Sequence, residues 1–155
     1  MTGPSAATLL LEFERVVQVE AGEELEVRLR ATGWDPRMAG LLRQWRRGDL
    51  IVTQYGRGSI SFIEETIDLS NTYFDDRDSE ERLMGDFEEK FTRSLSACSA
   101  ELGEPSFVGS YGDVGFPEDL DAVMTARWIR RFGAIALNLK HEDQGVPFRI
   151  TVTAD

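Results

Sequence analysis

Leu83, Phe87, Phe91, Leu95, Cys98 and Leu102 recur at intervals of 4, 4, 4, 3 and 4 residues, a continuous apolar stripe at helical spacing. The spacing predicts a helix over Ser79–Leu102. Ser79 can cap it, Glu80 and Glu81 suit the dipole of its first turn, and Gly103 and Pro105 stop it. Upstream the pattern is mixed. Leu9, Phe13, Val16 and Val17 have helical spacing, whereas Leu25, Val27 and Leu29 alternate with Glu24, Glu26, Arg28 and Arg30. Residues 9–30 therefore read either as a hairpin of Val17–Glu20 and Leu25–Arg30 around Glu20–Glu23, or as one helix of good helix formers. The hairpin is preferred. Asp35-Pro36 reads as N-cap and first helical position, with Met38, Leu41, Leu42 and Trp45 on one face and Gly48 at the end. Ile51–Tyr55 and Ser59–Ile63 read as strands joined by Gly56-Arg57-Gly58. Asp68–Asp78 is polar and reads as a loop. Beyond the long helix come a glycine-rich loop, Gly109–Gly115, and an acidic turn, Pro117–Asp121. Two strands follow, Ala126–Gly133 into Ala134–Leu139, the latter apolar on both faces, and His141–Gly145 leads into a last strand, Phe148–Thr153. Strands, then a long helix, then strands define an α+β class: an antiparallel sheet with a long amphipathic helix packed on it. No internal sequence repeat is evident. At 155 residues the chain suits a single domain, 1–155. Trp34, Trp45 and Trp128 are core candidates.

Charge adds a second layer. Between Glu64 and Lys90 eleven Asp or Glu face only Arg77, Arg82 and Lys90. From Arg28 to Arg57 seven Arg face only Asp35 and Asp49. A chain polarised in this way can steer a basic partner through its field. The net charge of −11 and pI near 4.6 argue against nucleic acid or an anionic membrane as the main partner, since both select basic surfaces. The single cysteine, Cys98, excludes an intramolecular disulfide and fits a reducing compartment. The Leu9–Leu11 run is too short for a signal segment or membrane span. A cytoplasmic protein is expected.

The candidate chemistries are weak. His141 is the only histidine and has no Cys nearby for a zinc site; a solvated turn histidine is expected. Cys98 lies on the apolar stripe and reads as a small buried hydrophobe. Asp76-Arg77-Asp78-Ser79-Glu80 starts like a calcium loop, but Glu81 stands where that loop needs Gly and Phe87 where it needs a bidentate Glu. Gly56-Arg57-Gly58-Ser59 lacks the Lys-Ser/Thr of a phosphate loop and joins two strands. Gly109, Gly112 and Gly115 do not match the dinucleotide fingerprint. No metal, cofactor or catalytic set is expected. Tyr73 and Phe74, placed before the acidic run, look like interface anchors.

The segment Phe87–Thr153 carries a likeness to a family. A long helix ends in Leu102-Gly103-Glu104-Pro105, then come a glycine-rich loop, a strand with Trp128, and Leu137-Asn138-Leu139-Lys140-His141-Glu142-Asp143 before Val146-Pro147-Phe148-Arg149-Ile150. This order resembles the immunity-like proteins of bacterial polymorphic or contact-delivered toxin systems, over less than half the chain. The resemblance implies a cytoplasmic binding protein that neutralises a toxin by tight association. The expected partner is a protein with a basic surface. It would be met by Tyr73, Phe74, Asp75, Asp76, Asp78, Glu80 and Glu81, with monomer and homodimer both open. The alternative is a small acidic secretion chaperone for an effector. A carboxylate- or metal-dependent enzyme comes third.

Overall fold

Ser5 precedes the first run of apolar residues and caps it: its hydroxyl accepts the Thr8 N–H at 3.2 Å. Helix α1 (Ala6–Val17) then buries Leu9, Leu10, Phe13, Val16 and Val17 on one face. The computed structural model describes residues 3–57, 60–70, 77–117, 120–141 and 147–155. After a break at Gly22, whose φ is +99°, α2 (Leu25–Ala31) buries Leu25 and Leu29 and leaves Val27 exposed. The expected hairpin over Val17–Glu20 and Leu25–Arg30 is therefore wrong. The alternation of Leu25, Val27 and Leu29 misled because Leu25 and Leu29 also stand at i, i+4, and that pair is the one buried.

The second correction concerns Asp35–Gly48. It is not a helix but a hairpin, β1 (Asp35–Ala39) and β2 (Leu42–Arg47), turning through Gly40 at φ +61°. Trp45 is buried, but Met38, Leu41 and Leu42 are 63%, 100% and 47% exposed. The supposed apolar face is therefore no face at all. Pro36 sits in an edge strand, where its missing N–H removes no ladder bond. Gly48 does end the element, at φ +60°, in a tight turn to β3 (Leu50–Arg57).

Strands β4 (Ile60–Leu69), β5 (Phe107–Ser110), β6 (Met124–Ile129), β7 (Ala134–Lys140) and β8 (Arg149–Ala154) complete an eight-stranded antiparallel sheet in the order β1-β2-β3-β4-β8-β7-β6-β5. The order has a simple logic. Each half is helical and then a four-strand meander running from an edge to the centre, with α1 and α2 before the first and α3 before the second, and β4 and β8 join the halves. The architecture thus repeats although the sequence does not. Of the connections expected from sequence, part of Pro117–Asp121 and residues 142–145 lie outside the described residues.

Helix α3 (Arg77–Leu102) is the long helix foreseen from the stripe, begun two residues before Ser79. Phe87, Phe91 and Cys98 are buried, and Leu83, Leu95 and Leu102 pack against the core half-buried. Gly103, at φ +85°, donates its N–H to Ser99 O at 2.9 Å. Its carbonyl accepts the Trp128 indole N–H at 2.9 Å, tying the helix end to β6. Helices α1 and α3 pack together over β7 and β8. Register places Ile135, Leu137 and Leu139 opposite Ala154, Val152 and Ile150, so these six share the helix-facing side. Strand β7 is buried along its whole length, as its doubly apolar pattern predicts. No described helix is long and apolar enough to cross a membrane. Because Leu95 is only half-buried, Leu95→Ala should cost about 1–2 kcal/mol, below a full core truncation. A lower urea midpoint at unchanged m is the check.

Candidate protein-binding face

The two charge runs meet different fates. The arginine run is largely consumed inside the fold. Arg43 pairs with Glu26 of α2, and Arg47 with Glu12 of α1. The Arg30 guanidinium lies over the Trp45 ring at 5.5 Å. Arg28 is buried and donates to Phe132 O at 2.9 Å; burial lowers its pKa, and Asp155 partly opposes that. These contacts fasten α1 and α2 to β2 and to the β6–β7 turn, so the arginines act mainly as cross-links. Only Arg37 and Arg46 remain exposed on the β1–β2 hairpin.

The acidic run divides. Its upstream part turns inward. Glu64 on β4, only 6% exposed, contacts Lys140 Nζ at 2.8 Å and Arg149 Nη1 at 3.4 Å. Arg149 also donates to Thr66 Oγ1 at 3.3 Å. Beside this ionic knot, on the sheet face turned away from the helices, Thr125 donates to Asn138 Oδ1 at 2.7 Å and Asn138 donates to Thr153 Oγ1 at 3.1 Å. Asp68 pairs with Lys90 at 3.1 Å. Burial, and secondarily the Glu64 carboxylate, raise the Glu65 carboxyl above its ordinary value of 4.5. The folded state therefore favours neutral Glu65. Its stabilising contribution is full below the unfolded value and is lost as pH rises through the folded one. Glu65→Gln is accordingly expected to raise Tm at pH 7 by about 1–3 °C and to flatten the pH dependence of stability from about pH 4 upward. Thermal melts at several pH values would show it.

The downstream part turns outward along α3. Of the residues expected to bind a partner, Asp78 and Glu81 are exposed and Glu80 is half-buried, all in the first turns of the helix. Tyr73, Phe74, Asp75 and Asp76 lie outside the described residues. Asp86, Glu88 and Glu89, which continue the same acidic run beyond those seven residues, are exposed on the same helix. The signal for them was present: all three fall between Phe87 and Phe91 or beside them, off the apolar stripe. Among the described residues none of Asp78, Glu80, Asp86, Glu88 and Glu89 has a cation within ion-pair distance. Glu12, Glu14, Glu26, Glu64, Asp68 and Asp155, in contrast, each close on an Arg or Lys. Beside the helix runs an open groove lined by Gly85, Glu88, Glu89, Thr92 and Arg93 of α3 and by Met124 of β6.

The remaining candidates are structural. Cys98 is buried, with its thiol pushed up to about 11 by desolvation. His141 is not a solvated turn residue: it is half-buried and its ring stacks on Phe148 with centroids 4.0 Å apart. Gly58 and Ser59 lie outside the described residues. Gly109 belongs to β5, and the Phe107 ring folds across it to Gly115. Among the described residues no three His, Cys, Asp or Glu gather as metal ligands. No protein-family model matches the chain, nor does any curated protein or solved structure.

Proposed function

We propose that this is a non-enzymatic acidic binding protein of the immunity type, acting in the cytoplasm, which neutralises a bacterial toxin by tight association. The exposed face of α3 is its recognition surface. One observation carries this reading: among the described residues Asp78, Asp86, Glu88 and Glu89 of α3 have no cation within ion-pair distance, while Glu12 and Glu14 of α1, Glu26 of α2, and Glu64 and Asp68 of β4 each close on arginine or lysine. Unpaired like charge on one helix is a local cost, and a basic partner would relieve it. Such a face would speed encounter with the basic cleft of a toxin that acts on nucleic acid or nucleotides. The residues from Tyr73 to Asp76, which lead into α3, would extend the contact, with the two aromatics as anchors.

The second reading, a small acidic secretion chaperone, draws support from exposed apolar residues at both ends of the sheet, Leu41 and Met38 at one and Val114 and Tyr111 at the other. Strand addition at the edges has little to work with. Pro36 removes a donor from β1, and the Ser110 N–H of β5 is already given to Asp113 Oδ2 at 2.7 Å. Co-expression separates the two readings. An immunity protein protects cells from the toxin encoded beside it, and reversing Asp86, Glu88 and Glu89 to Lys abolishes protection. A chaperone instead keeps a neighbouring effector soluble or secreted, and that triple change leaves its activity intact.

A further inference from the structure

On the β1–β2 hairpin, exposed arginines of the run and a group of exposed apolar side chains coincide. Leu41 at its tip is fully exposed, Met38 and Leu42 flank it at 63% and 47%, and Arg37 and Arg46 stand exposed on the two strands. Neither α1 nor α3 covers β1, and four of its five residues are exposed. An apolar tip with an exposed cation on each strand, Arg46 standing opposite Asp35 at the base, suits an occupant that is acidic around an apolar recess. The groove beside α3 leans to that chemistry: Glu88 and Glu89 outnumber Arg93 along it, Met124 lines it, and Gly85 leaves it open, since a Cβ there would meet nothing within 4 Å.

From this complementarity we propose that the occupant of the hairpin is a second copy of this chain, with the Leu41 tip of one copy entering the α3 groove of the other. The inference rests on the reading of α3 as a face for basic partners and adds a regulation of that face: self-association masks it, and a basic partner displaces the hairpin. Each copy carries a net charge of −11, so long-range repulsion opposes the contact. At physiological ionic strength the Debye length is about 8 Å, and charges meeting at the contact outweigh the distant ones. The joined surfaces differ from each other, so the contact is heterologous and closes as a pair only if both hairpins engage at once.

Sedimentation equilibrium of the full chain at physiological salt, without any partner, tests this. The expected result is a reversible rise of average mass with concentration. Leu41→Asp, the pair Arg37→Glu with Arg46→Glu, and the pair Glu88→Arg with Glu89→Arg should each weaken association by about tenfold or more. Mixing the two charge-reversed proteins should restore it, because each then offers the other a complementary surface. All are surface positions, and unchanged melting temperatures would show that the variants fold. A wild-type chain that stays monomeric at every concentration overturns the proposal, as does association indifferent to these changes or not restored by mixing. Toxin protection is read separately: the hairpin variants should keep it. Failure of self-association is thereby distinguished from failure of the α3 recognition surface.

Discussion

Replacing Glu64 by alanine is expected to cost about 3–5 kcal/mol and to lower Tm by about 6–20 °C, among the largest effects of any single change in this chain. Glu64 is 6% exposed and lies between Lys140, itself nearly buried, and Arg149. Removing the carboxylate leaves Lys140 charged, buried and uncompensated. The destabilisation comes from that orphaned cation more than from any strength of the pair itself. Partial rescue is therefore expected. Glu64→Leu combined with Lys140→Met removes both charges, and the double variant should be more stable than Glu64→Ala. Denaturant melts of the single and double variants decide the matter. A loss below about 0.5 kcal/mol for Glu64→Ala would mean that water reaches the knot.

Gly133→Ala is expected to cost about 2–4 kcal/mol. The strain here is not one of dihedral angle. A Cβ on Gly133 would lie 2.1 Å from the carbonyl oxygen of Asp155, 2.8 Å from Arg28 Nη1 and 3.0 Å from Val17 Cγ1. The nearest of these is backbone, held by the pairing of Ala134 with Asp155, so it cannot swing aside as a side-chain end would. Arg28 needs the same opening to reach Phe132 O. The change should lower Tm by several degrees. A variant as stable as wild type would show that the β6–β7 turn relaxes freely and that α2 is not locked through it.

Much of this fold could be read from local pattern. The α3 stripe predicts its helix because one period governs six apolar positions, and Gly103 stops it where a positive φ is needed. Strand β7 shows its double burial in an uninterrupted apolar run. The failures share a cause. Met38, Leu41, Leu42 and Trp45 satisfy a helical period, but Arg43 and Arg47 between them reach Glu26 and Glu12 on other elements. No window of local sequence contains those partners. Gly40 and Gly48, which bracket β2 with positive φ, were the available warning. The candidate site was legible as a run of acids and not as a surface. Glu64 and Arg149 are 85 residues apart, so nothing near Glu64 marks it as internal while Asp86, Glu88 and Glu89 face water. Helical phase separates the outer acids from the stripe; long-range pairing alone separates the inner ones.

The proposed function turns on whether Asp86, Glu88 and Glu89 of α3 draw in a basic partner. The association rate constant with the co-encoded toxin, measured across ionic strength for wild type and for the Asp86→Lys, Glu88→Lys, Glu89→Lys triple variant, tests it most directly. The expected result is a wild-type rate that falls steeply with salt, a variant rate at least about tenfold lower at low salt with a shallow slope, and unchanged melting temperature. Equal rates and equal salt slopes for the two proteins, with protection intact, would contradict it and leave the α3 face as a solvated surface only.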